Sequence, residues 1–243
     1  MSILTIAAEN FEKLVRNPYP GRGIVLGAAK NGTLAQVYWI MGRSEGSRNR
    51  IFTREADGSV KTEAFDTSKM KDADLSLIIY HPVRTFGTKH IVTNGDQTDT
   101  IFDAVKQGGT FESALDTRIY EHDKPNYTPR ISGITDTADT VHRYKLAIVK
   151  TIGNDPEHYV RNEFKFNAPI PGIGHCITTY QGDGNPLPSF DGEPYPLPIS
   201  DTIDETLDAY WKRLDAANRV SLLVKFIDPK TGTSDMRIVN RNK

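Results

Sequence analysis

Three polar clusters in this sequence hold side chains that could carry chemistry. The first consists of arginines on both sides of a predicted hairpin: Arg43, Arg48 and Arg50, with Arg22 on the partner strand. A guanidinium group can bind two phosphate oxygens at once, so several arginines on one sheet surface would bind a phosphate monoester. A solvated strand face with scattered charge is the alternative for any one of them.

The second cluster, residues 94–99, lies where a predicted strand meets a predicted helix. Backbone N–H groups at a helix start favour anions, but Asp96 and Asp99 would repel a phosphate. Recognition of a neutral carbonyl or base by Asn94 is therefore the favoured interpretation. A turn followed by a helix cap is the alternative, and it suits Asp96 and Thr98 better than Asn94.

The third cluster is a dense set of proton-transfer groups in residues 120–123 and 126–130, between a predicted helix and a predicted strand. Its carboxylates, among them Glu121, suit general acid–base catalysis if burial moves the pKa towards neutrality. An exposed polar loop is the alternative that this segment alone leaves open.

Residues 42–46 read Gly-Arg-Ser-Glu-Gly and match the G-x-S-x-G pattern of serine hydrolases. In those enzymes the serine stands on a turn from a strand into a helix, whereas residues 47–52 here lead into another predicted strand. The serine-hydrolase interpretation is therefore disfavoured. The six histidines lie far apart and have a single cysteine, Cys176, to assist them, so no metal site is predicted.

Composition narrows the possible partners. Lys and Arg number 30 and Asp and Glu 31, so the net charge of −1 provides no long-range positive field for nucleic acid or anionic lipid. The longest apolar runs fall far short of the roughly 20 residues of a membrane helix, and the first 15 residues lack the cationic start of an export signal. With Cys176 as the only thiol, a cytoplasmic location is predicted.

The elements that must position these clusters are mainly strands in hairpins. Asn31-Gly32 and Asp57-Gly58 stand between β-rich runs and predict tight turns. Hairpins with helices in separate runs predict an α+β layered fold and disfavour an alternating dinucleotide-binding fold. Strands are predicted over residues 24–28, 36–41, 50–54, 60–65, 75–80, 90–93, 130–134, 144–150, 159–166, 220–227 and 236–239, and helices over residues 6–15, 98–107, 111–120 and 203–214.

Residues 181–200 contain five prolines and three glycines, a composition that predicts a long loop without a regular ladder. With the helix and hairpin that follow, this loop forms a C-terminal extension of the pattern. The extension could cap a site or bind another subunit, so a homo-oligomer is left open.

Taken in order, the three clusters resemble the archaeal-type inosine monophosphate (IMP) cyclohydrolase family. Several multi-residue blocks in the same order are more specific than any single motif. They extend over about residues 20–180 and comprise Pro20-Gly21-Arg22, Val37-Tyr38, Gly42-Arg43-Ser44, Arg48-Asn49-Arg50, residues 80–84 and 92–99, Tyr120-Glu121, residues 127–133 and residues 176–180.

The resemblance implies a single cyclohydrolase domain over residues 1–243 with the four-layer αββα fold of N-terminal nucleophile hydrolases, used without a processed nucleophile. It also implies a small-molecule substrate, a purine ribonucleotide intermediate. In this reaction 5-formamidoimidazole-4-carboxamide ribonucleotide closes to inosine monophosphate with loss of water, the last step of purine synthesis. No metal or redox cofactor is required for that chemistry.

The resemblance further implies roles for individual residues. Tyr80 and Glu121 would transfer protons, and Asn94 and Arg22 would contact the carbonyl or oxyanion. The implied substrate-binding residues are Arg43, Arg48, Arg50 and Arg130, with Arg48 and Arg50 among the phosphate contacts, and Tyr38 and Tyr127 as cavity wall or ribose partners.

Two other functions stay open at this point. One is an amide-bond hydrolase of the same fold that uses Ser2 as its nucleophile after removal of Met1. Against it, Ser2 precedes a predicted helix instead of opening a strand. The other is a purine-nucleotide-binding protein without turnover, against which Tyr80 and Glu121 argue.

Overall fold

The structure, a computed structural model, describes residues 1–69 and 78–243, which form two antiparallel sheets with helices outside them. The strands of sheet A are β1 (Gly23–Ala28), β2 (Leu34–Met41), β10 (Ile173–Thr178), β11 (Tyr195–Pro198), β12 (Arg219–Ile227) and β13 (Ser234–Asn240). The strands of sheet B are β3 (Arg50–Arg54), β4 (Val60–Ala64), β5 (Val83–Phe86), β6 (Lys89–Thr93), β7 (Arg130–Asp136), β8 (Tyr144–Ile152) and β9 (Asp155–Phe166).

The strand order is β11-β10-β1-β2-β12-β13 in sheet A, whereas sheet B follows the chain from β3 to β9. The helices are α1 (Ile3–Arg16), α2 (Glu45–Arg48), α3 (Gln97–Lys106), α4 (Phe111–Leu115) and α5 (Ile203–Arg213), with a short 3₁₀ turn at Thr67–Lys69. None of the helices in the described ranges is long and apolar enough to cross a membrane.

Three apolar cores hold the elements in layers. Phe11 of α1 and Tyr210 of α5 pack with Trp39 on one face of sheet A. The other face of sheet A meets sheet B in a second core, and α3 and α4 cover the far side of sheet B in a third. The α+β layered prediction is therefore confirmed, as a sandwich of two antiparallel sheets.

The local signals predicted both tight turns and the first and last helices correctly. Both Asn-Gly and Asp-Gly sites form hairpin turns, in which Gly32 and Gly58 have φ of 85° and 84°. The opening helix and the late helix are present as α1 and α5. Thr202 caps α5 through a reciprocal pair of hydrogen bonds with Glu205, which stabilises the first turn.

Three predicted elements are wrong in part. Helix α4 ends at Leu115 instead of residue 120, because the Arg161 guanidinium takes the carbonyl oxygens of Leu115, Asp116 and Arg118. The segment 181–200 is not ladder-free, since β11 pairs with β10 at the edge of sheet A, where prolines are tolerated. Of the predicted strand 75–80, residues 75–77 lie outside the described residues and 78–80 form no strand.

A polar group is buried between the two sheets. Lys225 on β12 is 1% exposed, and its Nζ donates to Oγ1 of Thr85 on β5 at 2.7 Å. Burial, together with the positive charge of Arg54, lowers the pKa of Lys225 to about 8. An ammonium group in this position costs folding free energy because the sheets remove it from water.

We expect Lys225→Met to raise the free energy of unfolding at pH 7. The wild-type penalty is fully present below pH 8 and disappears as the pH rises towards about 10.4, the pKa of an unperturbed lysine, because the unfolded chain then binds more protons. The penalty for burying the charged lysine is about 3 kcal/mol, at about 1.4 kcal/mol per pKa unit. Urea unfolding of both proteins at pH 7 and pH 10 tests it. A stability difference that is the same at both pH values would contradict the prediction.

Candidate active site

The candidate site lies where several strands of both sheets begin or end. Arg22 directly precedes β1, Arg50 opens β3, and Asn94 directly follows β6. Antiparallel pairing places these ends together: Gly23 is opposite Thr178, and Thr93 is opposite Ser132. The loop ends at one edge of the sandwich therefore carry the polar clusters that the sequence singles out.

Tyr38 and Tyr80 form a hydroxyl pair within this site. Their two oxygens are 2.7 Å apart, and the side chains are 0% and 4% exposed. Tyr80 is held by Thr62 of β4, whose hydroxyl accepts the Tyr80 backbone N–H at 2.9 Å and whose backbone N–H donates to the Tyr80 carbonyl oxygen at 2.9 Å. Burial raises the pKa of both phenols, so both carry their protons at neutral pH.

Glu121 is a buried carboxyl that is 3% exposed. Burial raises its pKa to about 7, against the lowering effects of Arg22, Arg130 and Arg50 and with a raising effect from Asp123. A carboxyl that titrates near neutrality can both accept and donate a proton within one turnover. The condition that the sequence interpretation set for acid–base work is therefore met.

Two cationic side chains near Glu121 have nitrogen atoms without a partner. Within the described residues, Nε of Arg22 and Nη1 of Arg50 are buried and make no hydrogen bond. Burial, and after it the charge of Arg22, lowers the pKa of Arg50. Burial also disfavours the charge on Arg22, but Glu121 and nearby tyrosines more than compensate. Two neighbouring guanidinium groups, each with a buried and unpaired N–H donor, favour binding of an anion or a carbonyl oxygen.

Arg130 and Gly95 build the wall beside Glu121. The Nη1 of Arg130 donates to Asp96 at 2.6 Å and to Gln97 at 2.7 Å, and its Nε donates to the carbonyl oxygen of Ile119 at 2.8 Å. A Cβ added at Gly95 would lie 2.9 Å from Arg130 Nη1 and 3.3 Å from Glu121 Oε1. It would lie 2.7 Å from Gln97 Oε1, so a side chain at this position would displace the ends of Gln97 and Arg130.

Asn94 links the end of β6 to the start of β7. Its Oδ1 accepts from Ile131 N and from Gln97 Nε2, both at 2.9 Å, and its Nδ2 donates to the carbonyl oxygen of Pro129 at 2.9 Å. The amide oxygen is therefore saturated. Only the second Nδ2 proton remains for a ligand.

The other predicted arginines have protein partners. Arg48 donates to the carbonyl oxygen of Gly42 at 2.9 Å and to Oδ1 of Asn218 at 3.0 Å. Arg43 is exposed, pairs with Asp183, and lies over the ring of Tyr19 at 4.9 Å. Arg50 has a protein partner as well, since its Nε donates to the carbonyl oxygen of Ser47 at 3.0 Å. What sets Arg22 and Arg50 apart from Arg43 and Arg48 is therefore a buried nitrogen atom that makes no hydrogen bond.

Tyr127 belongs to an aromatic group beside β9. Its ring packs edge-on against Tyr120 at 5.6 Å, and Tyr120 also contacts His122 and Tyr159. The backbone of Tyr127 has a φ of 44°, which is uncommon for a residue with a side chain.

The sequence interpretation did not assign roles to Tyr19, Gln97 or Tyr180. Tyr180 is 2% exposed, and its ring stacks with that of Tyr19 at 6.0 Å. Both tyrosines belong to or adjoin segments that carry the family resemblance: Tyr19 directly precedes Pro20-Gly21-Arg22, and Tyr180 is the last residue of the segment 176–180. Their position in the sequence next to these segments is the signal that could have indicated a place in the site.

Alternative nucleophiles lie elsewhere or are unreactive. Ser2 is exposed and its hydroxyl caps α1 by accepting from Thr5 N at 3.2 Å. Ser44 of the G-x-S-x-G match caps the single turn α2, after which β3 begins, so the long supporting helix of a hydrolase is missing there. Burial raises the pKa of the Cys176 thiol to about 12. Among the residues searched, no group of three or more His, Cys, Asp or Glu could hold a metal ion.

Comparison with known proteins identifies a family. A family model described as IMP cyclohydrolase-like protein matches residues 19–232. This match continues past the blocks at residues 20–180 and includes β11, α5 and β12.

Three curated proteins named IMP cyclohydrolase are similar to this chain. The protein of Methanopyrus kandleri is 38% identical over 181 residues, which cover 70% of this chain and 79% of the relative. That of Methanosphaera stadtmanae is 30% identical over 123 residues, 49% of this chain and 58% of the relative. That of Methanococcus maripaludis is 35% identical over 118 residues, 47% of this chain and 56% of the relative.

Proposed function

This chain belongs to the IMP cyclohydrolase-like protein family, and we propose that its site closes the purine ring of 5-formamidoimidazole-4-carboxamide ribonucleotide to IMP with loss of water. The chain is a cyclohydrolase, and we assign the steps of the reaction to its residues. The observation that carries the assignment is Glu121, a buried carboxyl with a pKa of about 7 beside two cations and a tyrosine pair.

In the first step Glu121 acts as the base. The carboxamide nitrogen of the substrate is a poor nucleophile and must lose a proton as it attacks the formyl carbon. The carboxylate of Glu121 takes that proton while the new C–N bond forms. Because ring closure is intramolecular, holding the two substituents close supplies much of the acceleration.

In the second step the formyl oxygen leaves as water and needs proton donors. Either hydroxyl of the tyrosine pair can donate to the other, and we assign this donation to Tyr38, which leaves the proton of Tyr80 for the developing oxyanion. The unpaired Nε–H of Arg22 and the free Nδ2 proton of Asn94 are further donors for this oxygen. Glu121 can then return its proton to the leaving oxygen. As the water departs, the former formamido nitrogen loses its N–H proton, which restores the Tyr80 hydroxyl, and forms the C=N bond of the closed ring.

We expect Arg50→Met to raise the KM of the ribonucleotide about 10- to 100-fold, with a smaller change for the riboside that lacks the phosphate. The unpaired, buried Nη1 of Arg50 suits a phosphate oxygen. Loss of a hydrogen bond to a charged group costs about 1.5–3 kcal/mol, and each 1.4 kcal/mol is a factor of ten. Steady-state kinetics with both substrates measure the difference.

Arg48→Met is the matched control for that experiment. The resemblance implies a phosphate contact for both arginines, but Arg48 already binds Gly42 and Asn218. We therefore expect the larger KM effect at Arg50 and mainly a loss of thermal stability at Arg48. Equal losses for ribonucleotide and riboside in Arg50→Met would contradict a phosphate role.

The direct test of the function is incubation with the formylated ribonucleotide. The wild-type protein should form IMP at a rate proportional to the protein concentration. Chromatography measures the IMP that is formed. Absence of IMP with a folded protein would overturn the proposal and leave a nucleotide-binding protein without turnover. The capping role of exposed Ser2 gives no support to an amide-bond hydrolase.

Two structural expectations belong to the same proposal. We propose that the sandwich is of the N-terminal nucleophile hydrolase type and that residues 1–243 form one domain. The second is supported by β12, which lies between β2 and β13 in sheet A and so joins the C-terminal extension to the first hairpin. A cytoplasmic location and assembly with further copies stay predictions.

A further inference from the structure

Tyr180 lies next to Gly21 and Arg22, the two residues before β1. Thr179 N donates to the carbonyl oxygen of Arg22 at 2.9 Å, and Arg22 N donates back to Thr179 Oγ1 at 3.0 Å. A Cβ added at Gly21, which has a φ of 74°, would lie 2.5 Å from Cδ2 of Tyr180. The ring is therefore packed tightly against Gly21, the residue before Arg22.

The hydroxyl of Tyr180 continues into a chain of short hydrogen bonds. Its oxygen is 2.5 Å from Oγ1 of Thr128, which is 0% exposed, and Thr128 Oγ1 donates to Oδ2 of Asp123 at 2.5 Å. The other carboxylate oxygen of Asp123 accepts Thr128 N at 2.6 Å. The backbone carbonyl oxygen of Thr128 accepts the backbone N–H of Glu121 at 2.9 Å, and the charge of Asp123 raises the pKa of Glu121, so these hydrogen bonds lie next to the catalytic residue.

Counting protons fixes the direction of this chain. The carboxylate of Asp123 has no proton to give, so it accepts the only hydroxyl proton of Thr128. Thr128 Oγ1 must then accept from Tyr180. The proton of Tyr180 is thus directed to Thr128. The hydroxyl oxygen lies near enough to Arg22 and Glu121 for both to affect its pKa, and it has only lone pairs left for a ligand there.

We propose that Tyr180 accepts one N–H of the substrate carboxamide, and that Thr128 and Asp123 are positioning residues that keep its hydroxyl an acceptor. This inference rests on the proposed function. A primary amide has two N–H groups, and the site offers two neighbouring acceptors, Glu121 and Tyr180. Glu121 takes the proton that leaves as the C–N bond forms, while the N–H on Tyr180 remains and becomes the N1–H of IMP.

The polarity of the chain can be reversed without removing a heavy atom. In Asp123→Asn the amide oxygen keeps the bond from Thr128 N, which turns the amide NH₂ towards Thr128 Oγ1. Thr128 then donates to Tyr180, and the proton of Tyr180 points into the site. Thr128→Val removes the acceptor of that proton by a change of similar shape, and Thr128→Ser restores it.

Direct binding of IMP and adenosine monophosphate (AMP) measures this polarity, because N1 carries a proton in IMP and a lone pair in AMP. We expect the preference for IMP over AMP to fall about 10- to 100-fold in Asp123→Asn and in Thr128→Val, and to return in Thr128→Ser. Turnover should follow the same order. Melting curves establish that each variant is folded.

Two controls separate the possible failures. Asp123→Asn also removes a negative charge near Glu121, which Thr128→Val does not, so a loss of preference in both variants comes from the hydrogen-bond chain. Wild-type preference and turnover in both folded variants, with Glu121→Gln slow, would overturn this inference and leave the proposed function intact. A wild-type protein that forms no IMP would overturn the proposed function.

Discussion

Glu121→Gln is expected to lower turnover about 10²–10⁴-fold, the usual contribution of general acid–base catalysis. The substitution keeps nearly the same shape but removes the group that takes the carboxamide proton. Affinity for the product IMP should change much less, because binding by the arginines is retained. Rapid-quench turnover and direct IMP binding, measured on the same preparation, separate chemistry from binding.

The pH dependence provides an independent check of the same residue. Because the free enzyme requires the carboxylate form and the pKa of Glu121 is about 7, wild-type kcat/KM should fall tenfold per pH unit well below pH 7. Well above pH 7 the carboxylate is fully formed and this group no longer limits the rate. The residual activity of Glu121→Gln should lack this acid limb.

A matched control exists on the outer face of sheet B. Glu112 of α4 is a carboxylate paired with Lys145 at 2.9 Å and Lys165 at 3.1 Å, outside the site. Glu112→Gln makes the same chemical change and should lower stability without slowing turnover. Equal slowing by Glu112→Gln and Glu121→Gln would assign the effect to folding.

The strands that short-range signals define could be predicted from the sequence. Asn31-Gly32 and Asp57-Gly58 determine their turns locally, so the hairpins follow from a few residues. Strand β5 was missed because its four residues are too short for an alternating pattern, and β11 because its prolines are tolerated only at an edge. An edge position is a property of the sheet that the strand's own residues do not encode.

The division of labour among the arginines could not be predicted for a similar reason. Arg48 and Arg50 are the same residue type, are two positions apart and belong to the same segment, Arg48-Asn49-Arg50. One difference is Asn218, 170 residues further along the chain, whose Oδ1 accepts a hydrogen bond from Arg48. The Tyr38–Tyr80 pair likewise depends on the packing of sheet A against sheet B, which sequence order does not specify.

The second large effect is expected at Tyr80. Tyr80→Phe removes the hydroxyl that donates to the developing oxyanion, and with it the partner of Tyr38. We expect turnover to fall about 10²–10⁴-fold with a small change in IMP affinity. Tyr38→Phe should cost less, because Tyr80 keeps its own proton and loses only the hydrogen bond that it accepts.

Tyr144→Phe is the control that keeps the Tyr80 experiment specific. Tyr144 is 1% exposed between the sheets, and its hydroxyl bonds His175 Nδ1 at 2.8 Å, away from the site. Losing this buried hydroxyl should lower the melting temperature while turnover stays near wild type. If Tyr80→Phe also turns over at the wild-type rate, Tyr80 is only cavity wall. The protons for the leaving oxygen would then come from Arg22, Asn94 and Glu121, and positioning of the two substituents would supply most of the acceleration.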